Sequence, residues 1–221
     1  MKQFFSFLII LFCFSQVEAQ SITEGKVVYQ ISYPDSSIGE LAVAMMPTEA
    51  TMYFKNDKTR MDMKMGMGMN LIALADNKAK TTIVLMDMLG NKTAMKMNEQ
   101  EINKESKKAG EYEITKTNET KTIAGYLCKK ATVTLKDKNS FNVWYTDEIK
   151  VQNSNWNNQF KNIDGFLMEF RMDQSLGISM EMTAKTIVNE KQSDSLFVVP
   201  DGYNTMTKDE LMKMYGGKGS K

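Results

Sequence analysis

The sequence predicts a mainly β protein with one or two short helices, built as a single curved antiparallel sheet or half-barrel. Alternating apolar and polar residues run through most of the chain, which is the pattern of strands with one buried face. The breaks between these runs carry turn residues, such as Asn56-Asp57 and Gly90-Asn91, which favour tight hairpins. Consecutive strands joined by short turns form antiparallel sheets, and this combination predicts the fold class.

The first residues predict an exported protein. Lys2 precedes an apolar run over residues 4–14, and small residues follow up to Ala19. A basic start, a short apolar stretch and a small-residue exit are typical of a cleaved secretory signal. We therefore expect residues 1–19 to be a signal peptide cleaved after Ala19, and residues 20–221 to form a single β-rich domain in the periplasm or outside the cell.

The alternation and the turn residues together predict eleven strands. They cover residues 25–33, 51–55, 59–69, 71–75, 82–89, 93–97, 112–117, 122–136, 141–146, 166–172 and 178–188. Gly125 interrupts the eighth of these, where a bulge or bend is expected.

The remaining segments predict loops and short helices. Residues 98–110 are polar and are expected to form a loop or a weak surface helix. Trp156 and Phe160 lie four residues apart, which favours one short helix within residues 150–162. Thr207 and Glu210 form a capping box that predicts a C-terminal helix over 207–215, followed by a flexible tail over 216–221.

The composition disfavours several functional classes. Lys and Arg total 28 against 27 Asp and Glu, so the chain lacks the basic excess of a nucleic-acid binder. It contains no histidine, and Cys128 is the one cysteine outside the signal, where we expect a small buried hydrophobe. Because general bases, nucleophile activators and zinc ligands are most often histidines, we predict a protein that is not an enzyme and has no cofactor. No segment after the signal is long and apolar enough to predict a transmembrane helix.

Methionines are unusually numerous, at 20, and their spacing is regular. In a strand, residues two apart point to the same side, so each row of alternate methionines is expected to cover one face of the sheet. The candidate ligand-binding residues are the members of these rows: Met61, Met63, Met65, Met67, Met69, Met86, Met88, Met95, Met97, Met180 and Met182.

Three interpretations of the rows compete. Methionine can replace leucine in an ordinary core, because its unbranched side chain fills irregular gaps. The same adaptability suits a groove for an acyl chain or another apolar ligand, and Gly66 and Gly68 favour an open or curved strand there. Thioethers also bind soft metals such as copper(I) and silver, although sulfurs spread along a line suit a single ion poorly.

Three motifs resemble an uncharacterised secreted bacterial family whose members begin with a signal peptide and end in a Pro-x-Gly-Tyr segment. They are TIAGYLCKKA at 122–131, VWYT at 143–146 and FVVPDGY at 197–203. In layout the chain is similar to the LolA and LolB lipoprotein carriers. That resemblance implies a curved antiparallel sheet closed by helices over a hydrophobic cavity, and apolar-ligand binding in the Gram-negative envelope. Carriers of that type latch their lid with an inward arginine, and the arginines of this chain are Arg60 and Arg171.

The leading hypothesis is a periplasmic or secreted binding protein that holds a lipid or another hydrophobic small molecule on a methionine-rich concave face. The first alternative is an envelope protein that binds copper(I) or silver through its methionines. The second is a structural or stress-response domain that binds another envelope protein through an exposed edge strand.

Overall fold

The computed structural model describes residues 21–34, 39, 44–109, 112–135, 139–173, 179–207 and 210. The predicted signal peptide, most of the predicted C-terminal helix and the predicted tail lie outside the described residues. Within them the chain forms a mainly β structure: a curved, open sheet of twelve strands with one short α-helix, α1 (Glu99–Ala109).

The strand bounds follow the predicted runs closely for most of the chain. In chain order the strands are β1 (Glu24–Ser32), β2 (Glu49–Lys55), β3 (Lys58–Lys64), β4 (Met69–Asp76), β5 (Thr81–Met88), β6 (Asn91–Asn98), β7 (Tyr112–Ile123), β8 (Tyr126–Leu135), β9 (Ser140–Thr146), β10 (Phe166–Asp173), β11 (Ser179–Val188) and β12 (Asn204–Met206). Their order across the sheet is β12-β6-β5-β4-β3-β2-β1-β11-β10-β9-β8-β7. Neighbours are antiparallel, as predicted, except that β12 runs parallel to β6.

The prediction of one strand over 59–69 is wrong. β3 ends at Lys64, a 3₁₀ turn covers Gly66–Gly68, and β4 begins at Met69. A Cβ atom on Gly66 would lie 2.9 Å from the backbone of Met45, so only glycine fits at this close approach. Glycine therefore breaks the row of five methionines into two antiparallel strands.

The expected bend at Gly125 is in fact a hairpin turn. Ala124 and Gly125 both have positive φ, at 49° and 89°, and β7 and β8 pair on either side of them. Positive φ at both central residues is the geometry of a two-residue hairpin turn. The segment 118–121, which was predicted to lie between two strands, belongs to β7, with an irregularity in the pairing between Lys116 and Thr120.

Residues 98–110, expected to form a loop or a weak helix, contain helix α1. A capping box starts it: Glu101 N–H donates to Asn98 Oδ1 at 3.0 Å, and Asn98 N–H donates to Glu101 Oε2 at 2.8 Å. Ile102, at 7% exposure, attaches the helix to the rest of the protein.

No helix forms within residues 150–162, so that prediction is wrong. The segment is a series of turns, which we call the strap and define as residues 150–165. Asparagine side chains replace helical hydrogen bonds here: Asn155 Nδ2 donates to the carbonyls of Ile163 and Gly165 at 2.8 and 2.9 Å. Both predicted aromatic anchors are nevertheless buried, Trp156 at 8% and Phe160 at 0% exposure.

The strap lies over one face of the sheet, the strap face, which carries Tyr29, Met61 and Phe170. Phe160 packs edge-on against Phe170 with ring centroids 5.9 Å apart, and Phe170 packs in the same way against Tyr29 at 5.7 Å. The Tyr29 hydroxyl donates to the Leu167 carbonyl at 2.8 Å. The main core of the protein therefore lies between the strap and strands β9, β10, β11 and β1.

A second segment, residues 189–203, crosses the opposite face of the sheet. Its contacts advance from strand to strand. Lys26 on β1 pairs with Glu190, Lys55 on β2 pairs with Asp194, and Arg60 on β3 donates to the Leu196 carbonyl at 3.1 Å. Beyond them, Val199 and Tyr203 pack on a small cluster formed by Leu74, Leu85 and Ala94. This crossing delivers the chain to the far edge, where β12 joins β6.

Candidate functional site

The methionine rows of β3 to β6 share the strap face. In register, Met61 lies opposite Ala73, which is followed by Val84 and then Met95 on the next strands. Because directly opposite residues of antiparallel strands project from the same face, the register sets these side chains beside one another. Met63 begins a parallel line through Leu71 and Met86.

The structure separates the eleven predicted ligand-binding residues into three environments. Met180 and Met182 are core residues at 5% and 0% exposure. Met67 and Met88 are exposed, at 69% and 42%. The others are half-buried: Met61, Met63, Met65, Met69, Met86, Met95 and Met97. We call the strap-face methionines of β3 to β6 other than Met61 the methionine surface: Met63, Met69, Met86, Met88, Met95 and Met97.

Two row members leave the strand geometry on which the prediction depended. Met65 and Met67 lie at the 3₁₀ turn between β3 and β4, and Met67 has φ of 59°. Neither residue lines the cavity under the strap. The expectation that all five methionines from 61 to 69 follow one strand fails at this turn.

Methionines also meet in cross-strand pairs that the sequence did not reveal. Met52 lies opposite Met61, Met69 opposite Met88, and Met172 opposite Met180. On the parallel edge strand, Met206 lies beside Met95. Met52, Met172 and Met206 were missed because each partner lies on another strand, and only the pairing register brings the two together.

A cavity of about 190 Å³ lies between the strap and the strap face. The sheet contributes thioethers from three strands, small residues and aromatic rings, while the strap contributes asparagine side chains. The lining residues on the sheet are Tyr29, Met52, Thr59, Met61, Ala73, Ala75, Phe166, Leu167, Phe170 and Met172, and those on the strap are Ser154, Asn155, Asn157 and Asn158. An apolar wall with a few polar groups on one side is the usual composition of a ligand pocket.

The strap reaches across the sheet to the β4–β5 hairpin. There Trp156 Nε1 donates to Asn77 Oδ1 at 2.9 Å, and Asn157 Nδ2 donates to Thr82 Oγ1 at 3.1 Å. The Lys80 ammonium lies 5.1 Å from the centre of the Trp156 ring. Asn77 is fully buried, and its Nδ2 has no hydrogen-bond partner within the described part of the chain. These few polar contacts hold the strap against the β4–β5 hairpin.

A wider hollow of about 560 Å³ lies beside the strap and is polar. Its lining includes Lys80, Glu99, Asp147, Lys161 and Asp164. Charged side chains at an open surface remain hydrated, so this hollow suits water better than an apolar ligand. The smaller cavity under the strap is the better candidate site.

Cys128 is buried, as the sequence predicts. Its Sγ lies 3.4 Å from the Tyr126 carbonyl, and burial raises the pKa of the thiol to about 11. A thiol with a raised pKa is a poor nucleophile at neutral pH. Burial also raises the pKa of the Tyr29 hydroxyl in the core.

The two arginines differ in their relation to the strap. Arg60 forms a two-pronged ion pair with Asp62, with Nε to Oδ1 at 2.6 Å, on the face opposite the strap. Arg171 lies beneath the strap near its Phe160 end, where its carbonyl accepts from Gln159 Nε2 at 3.0 Å. At the β4–β5 hairpin, the strap is held by Trp156 and Asn157.

Two further features concern the described residues as a whole. No cluster of three or more His, Cys, Asp or Glu side chains is arranged to hold a metal ion in this part of the chain. No helix among the same residues is long and apolar enough to cross a membrane.

The model of a protein family described as a domain of unknown function (DUF4412) matches residues 40–203. The chain belongs to this family. The matched segment of the DUF4412 domain runs from before β2 to Tyr203, so it contains the strap, most of the cavity lining and the segment that crosses the opposite face. No curated protein matches the chain.

Proposed function

We propose that this DUF4412 protein is an exported, non-catalytic binding protein that holds an acyl chain or a similar apolar ligand between the strap and the strap face. The cavity under the strap is the observation that carries the proposal. Met52, Met61 and Met172 place flexible thioethers around it. Such side chains adapt to ligands of varied shape at little cost in rotamer strain.

The methionine surface lies beside the cavity on the same face of the sheet. Ala73 lines the cavity, and its neighbour across the β4–β5 pairing, Val84, lies opposite Met95 of the methionine surface. A volume of about 190 Å³ is smaller than the usual ligand pocket of roughly 300–1,000 Å³. We therefore infer that a ligand places one segment under the strap and extends the rest along the methionine surface.

The compartment and the carrier resemblance belong to this proposal. The basic start, apolar run and small-residue exit of residues 1–19 favour export. A curved antiparallel sheet with an apolar cavity is the arrangement that a LolA-like carrier would use. Here the segment over the cavity is made of turns rather than helices, so we propose a related binding mode in which Trp156 and Asn157 hold that segment over the cavity.

Filling the cavity provides the test. Ala73→Phe adds a ring to a half-buried position on the cavity wall, whereas Ala79→Phe makes the same change at an exposed position of the β4–β5 turn. A fluorescent fatty acid should bind the natural protein and Ala79→Phe with equal affinity. For Ala73→Phe the affinity should fall by about tenfold or more, because the ring occupies the space of several methylene groups.

Native mass spectrometry of protein purified from its own cell envelope supplies the second arm. The proposal expects an apolar molecule bound to the natural protein and to Ala79→Phe, and bare Ala73→Phe. Bare natural protein that also fails to take up the fluorescent fatty acid would refute the proposal.

The cross-strand pairs favour one alternative function. Met69 opposite Met88, with Met86 diagonal to Met69, groups three thioethers on neighbouring strands, which answers the objection that a single row spreads its sulfurs along a line. Soft thioethers select copper(I). Competition with a copper(I) chelator separates the two functions: affinity weaker than micromolar in the natural protein would exclude metal handling and leave the apolar ligand.

A further inference from the structure

Two turns lie side by side at one end of the sheet, and both carry exposed apolar side chains. The pairing of Met69 with Met88 sets the Gly66–Gly68 turn next to the β5–β6 hairpin. A Cβ atom on Gly68 would lie 3.8 Å from Leu89 Cδ2, so the two turns are in contact. Leu89 is 83% exposed and Met67 is 69% exposed. We call this pair of turns, residues 66–68 and 89–90, the apolar tip.

Both exposed side chains stand on backbone that suits neither of them. Met67 has φ of 59° and Leu89 has φ of 53°, in the left-handed region where glycine or asparagine is usual. Each of the two neighbouring turns thus combines a bulky apolar side chain, high exposure and an unfavourable φ. Local folding would favour asparagine at both positions, so neither stability nor solubility accounts for methionine and leucine there.

Part of the backbone at the apolar tip is paired within its own turns. Met65 N–H donates to the Met69 carbonyl at 2.9 Å, and Met69 N–H donates to the Gly66 carbonyl. Gly90 N–H donates to Asp87 Oδ1 at 2.9 Å. Groups that are paired internally can enter an apolar medium without losing hydrogen bonds to water.

Lysines flank the apolar tip on the face opposite the strap. Lys64 ends β3, and the register continues from it through Asn70 and Asp87 to Lys92. Lys64 is exposed, and the Lys92 ammonium lies 5.7 Å from the centre of the Tyr203 ring. Along this line, which we call the rim of the tip, two lysines lie beside one carboxylate, so its described residues carry a net positive charge. Exposed apolar side chains with a basic rim are complementary to an anionic bilayer surface, where side chains enter the acyl region and lysines meet the headgroups.

We propose that the apolar tip docks the protein on anionic lipid bilayers by inserting Met67 and Leu89. The methionine surface begins directly behind the tip, at Met69 and Met88. This inference rests on the proposed function for its purpose: docking there brings the methionine surface to the bilayer, from which an acyl chain could enter.

Vesicle flotation tests the docking step with ligand-free protein. The probes are vesicles of phosphatidylcholine alone and of phosphatidylcholine with phosphatidylglycerol. The natural protein should float with the anionic vesicles at low salt, and less so as salt is raised. The double variant Met67→Asn, Leu89→Asn should lose about tenfold or more of this binding, since two large apolar side chains no longer enter the bilayer.

The double variant should fold at least as well as the natural protein, because asparagine tolerates positive φ. Leu127→Thr is the control, since it removes an exposed apolar side chain, at 56% exposure, from β8 instead of the tip. It should float as the natural protein does. Equal flotation of the double variant, equal flotation on neutral vesicles, or no flotation of the natural protein would each overturn the proposal.

Fatty-acid binding in solution keeps the two proposals distinguishable. The double variant should bind the fluorescent fatty acid with unchanged affinity, because Met67 and Leu89 do not line the cavity. Flotation without fatty-acid binding would refute the proposed function and leave the docking site. Fatty-acid binding without flotation would refute the docking site and leave the proposed function.

Discussion

The two halves of the strap face use methionine in different ways. On the half formed by β10 and β11, the row of Met180 and Met182 is buried in the main core. On the half formed by β4, β5 and β6, methionines at the same two-residue spacing remain half-buried or exposed. The spacing is identical, so the difference arises from which strands the strap and its aromatic residues cover. Identical sequence rows thus become packing on one half and available apolar surface on the other.

The core interpretation fits one half of the strap face, and the groove interpretation fits the other. Met180 and Met182 are core residues, as the first interpretation expects. The methionine surface instead retains exposed area beside a cavity, which favours the second. Thioethers suit both roles because they pack densely when covered and rearrange when uncovered.

The largest expected effect is on stability: truncating a methionine should cost far more in the buried half of the strap face than in the exposed half. Met182→Ala should lower the free energy of unfolding by about 2–5 kcal/mol, since it leaves a cavity among fully buried neighbours. Met95→Ala, the same change on the methionine surface, should cost about 1 kcal/mol or less. Urea denaturation of both variants measures the difference. Equal losses would show that the two halves are packed alike.

A smaller effect is expected where Trp156 of the strap contacts Asn77 of the β4–β5 hairpin. Trp156→Phe keeps an aromatic ring but removes the donor to Asn77, whose side chain is then buried with neither polar atom paired. The free energy of unfolding should fall by about 1–3 kcal/mol. Stopped-flow release of a fluorescent fatty acid should become faster, because the strap is held less firmly over the cavity. Unchanged stability and unchanged release would contradict the anchoring role.

Alkaline pH should weaken the core around Cys128 by a modest amount. Burial raises the pKa of this thiol to about 11 in the folded protein, from about 8.5 when unfolded. The folded state then binds the proton more tightly, so the stabilisation is complete below pH 8.5 and is lost as pH rises toward 11. Denaturation at a series of pH values should show a shallower decline for Cys128→Ala. An equal decline of stability with pH in both proteins would show that a group other than Cys128 causes it.

The smallest effect is expected from Met86→Leu. The substitution conserves volume at a half-buried position, so the free energy of unfolding should change by less than about 1.5 kcal/mol. A larger loss in thermal denaturation would show that Met86 is packed as tightly as the core methionines.

Alternation and turn residues were sufficient to predict most strands, because both signals are local. The 3₁₀ turn at Gly66–Gly68 escaped prediction because the methionine alternation continues through it, while the close approach of Met45 that requires glycine is tertiary. The strap escaped because aromatic spacing of four also suits turns, and asparagine side chains supply the hydrogen bonds that decide between them. Met52 and Met172 could not be assigned to the cavity, since only the register reveals their partners.

Methionine methyl NMR spectra can show directly whether an apolar ligand binds between the strap and the strap face. Protein labelled with ¹³C at the methionine methyl groups, with signals assigned by single substitutions, would be titrated with a fatty acid. The proposed site predicts large shifts for Met52, Met61 and Met172 around the cavity, smaller ones along the methionine surface, and none for the buried Met182. Shifts confined to residues outside the strap face, or no shifts at saturating fatty acid, would contradict it.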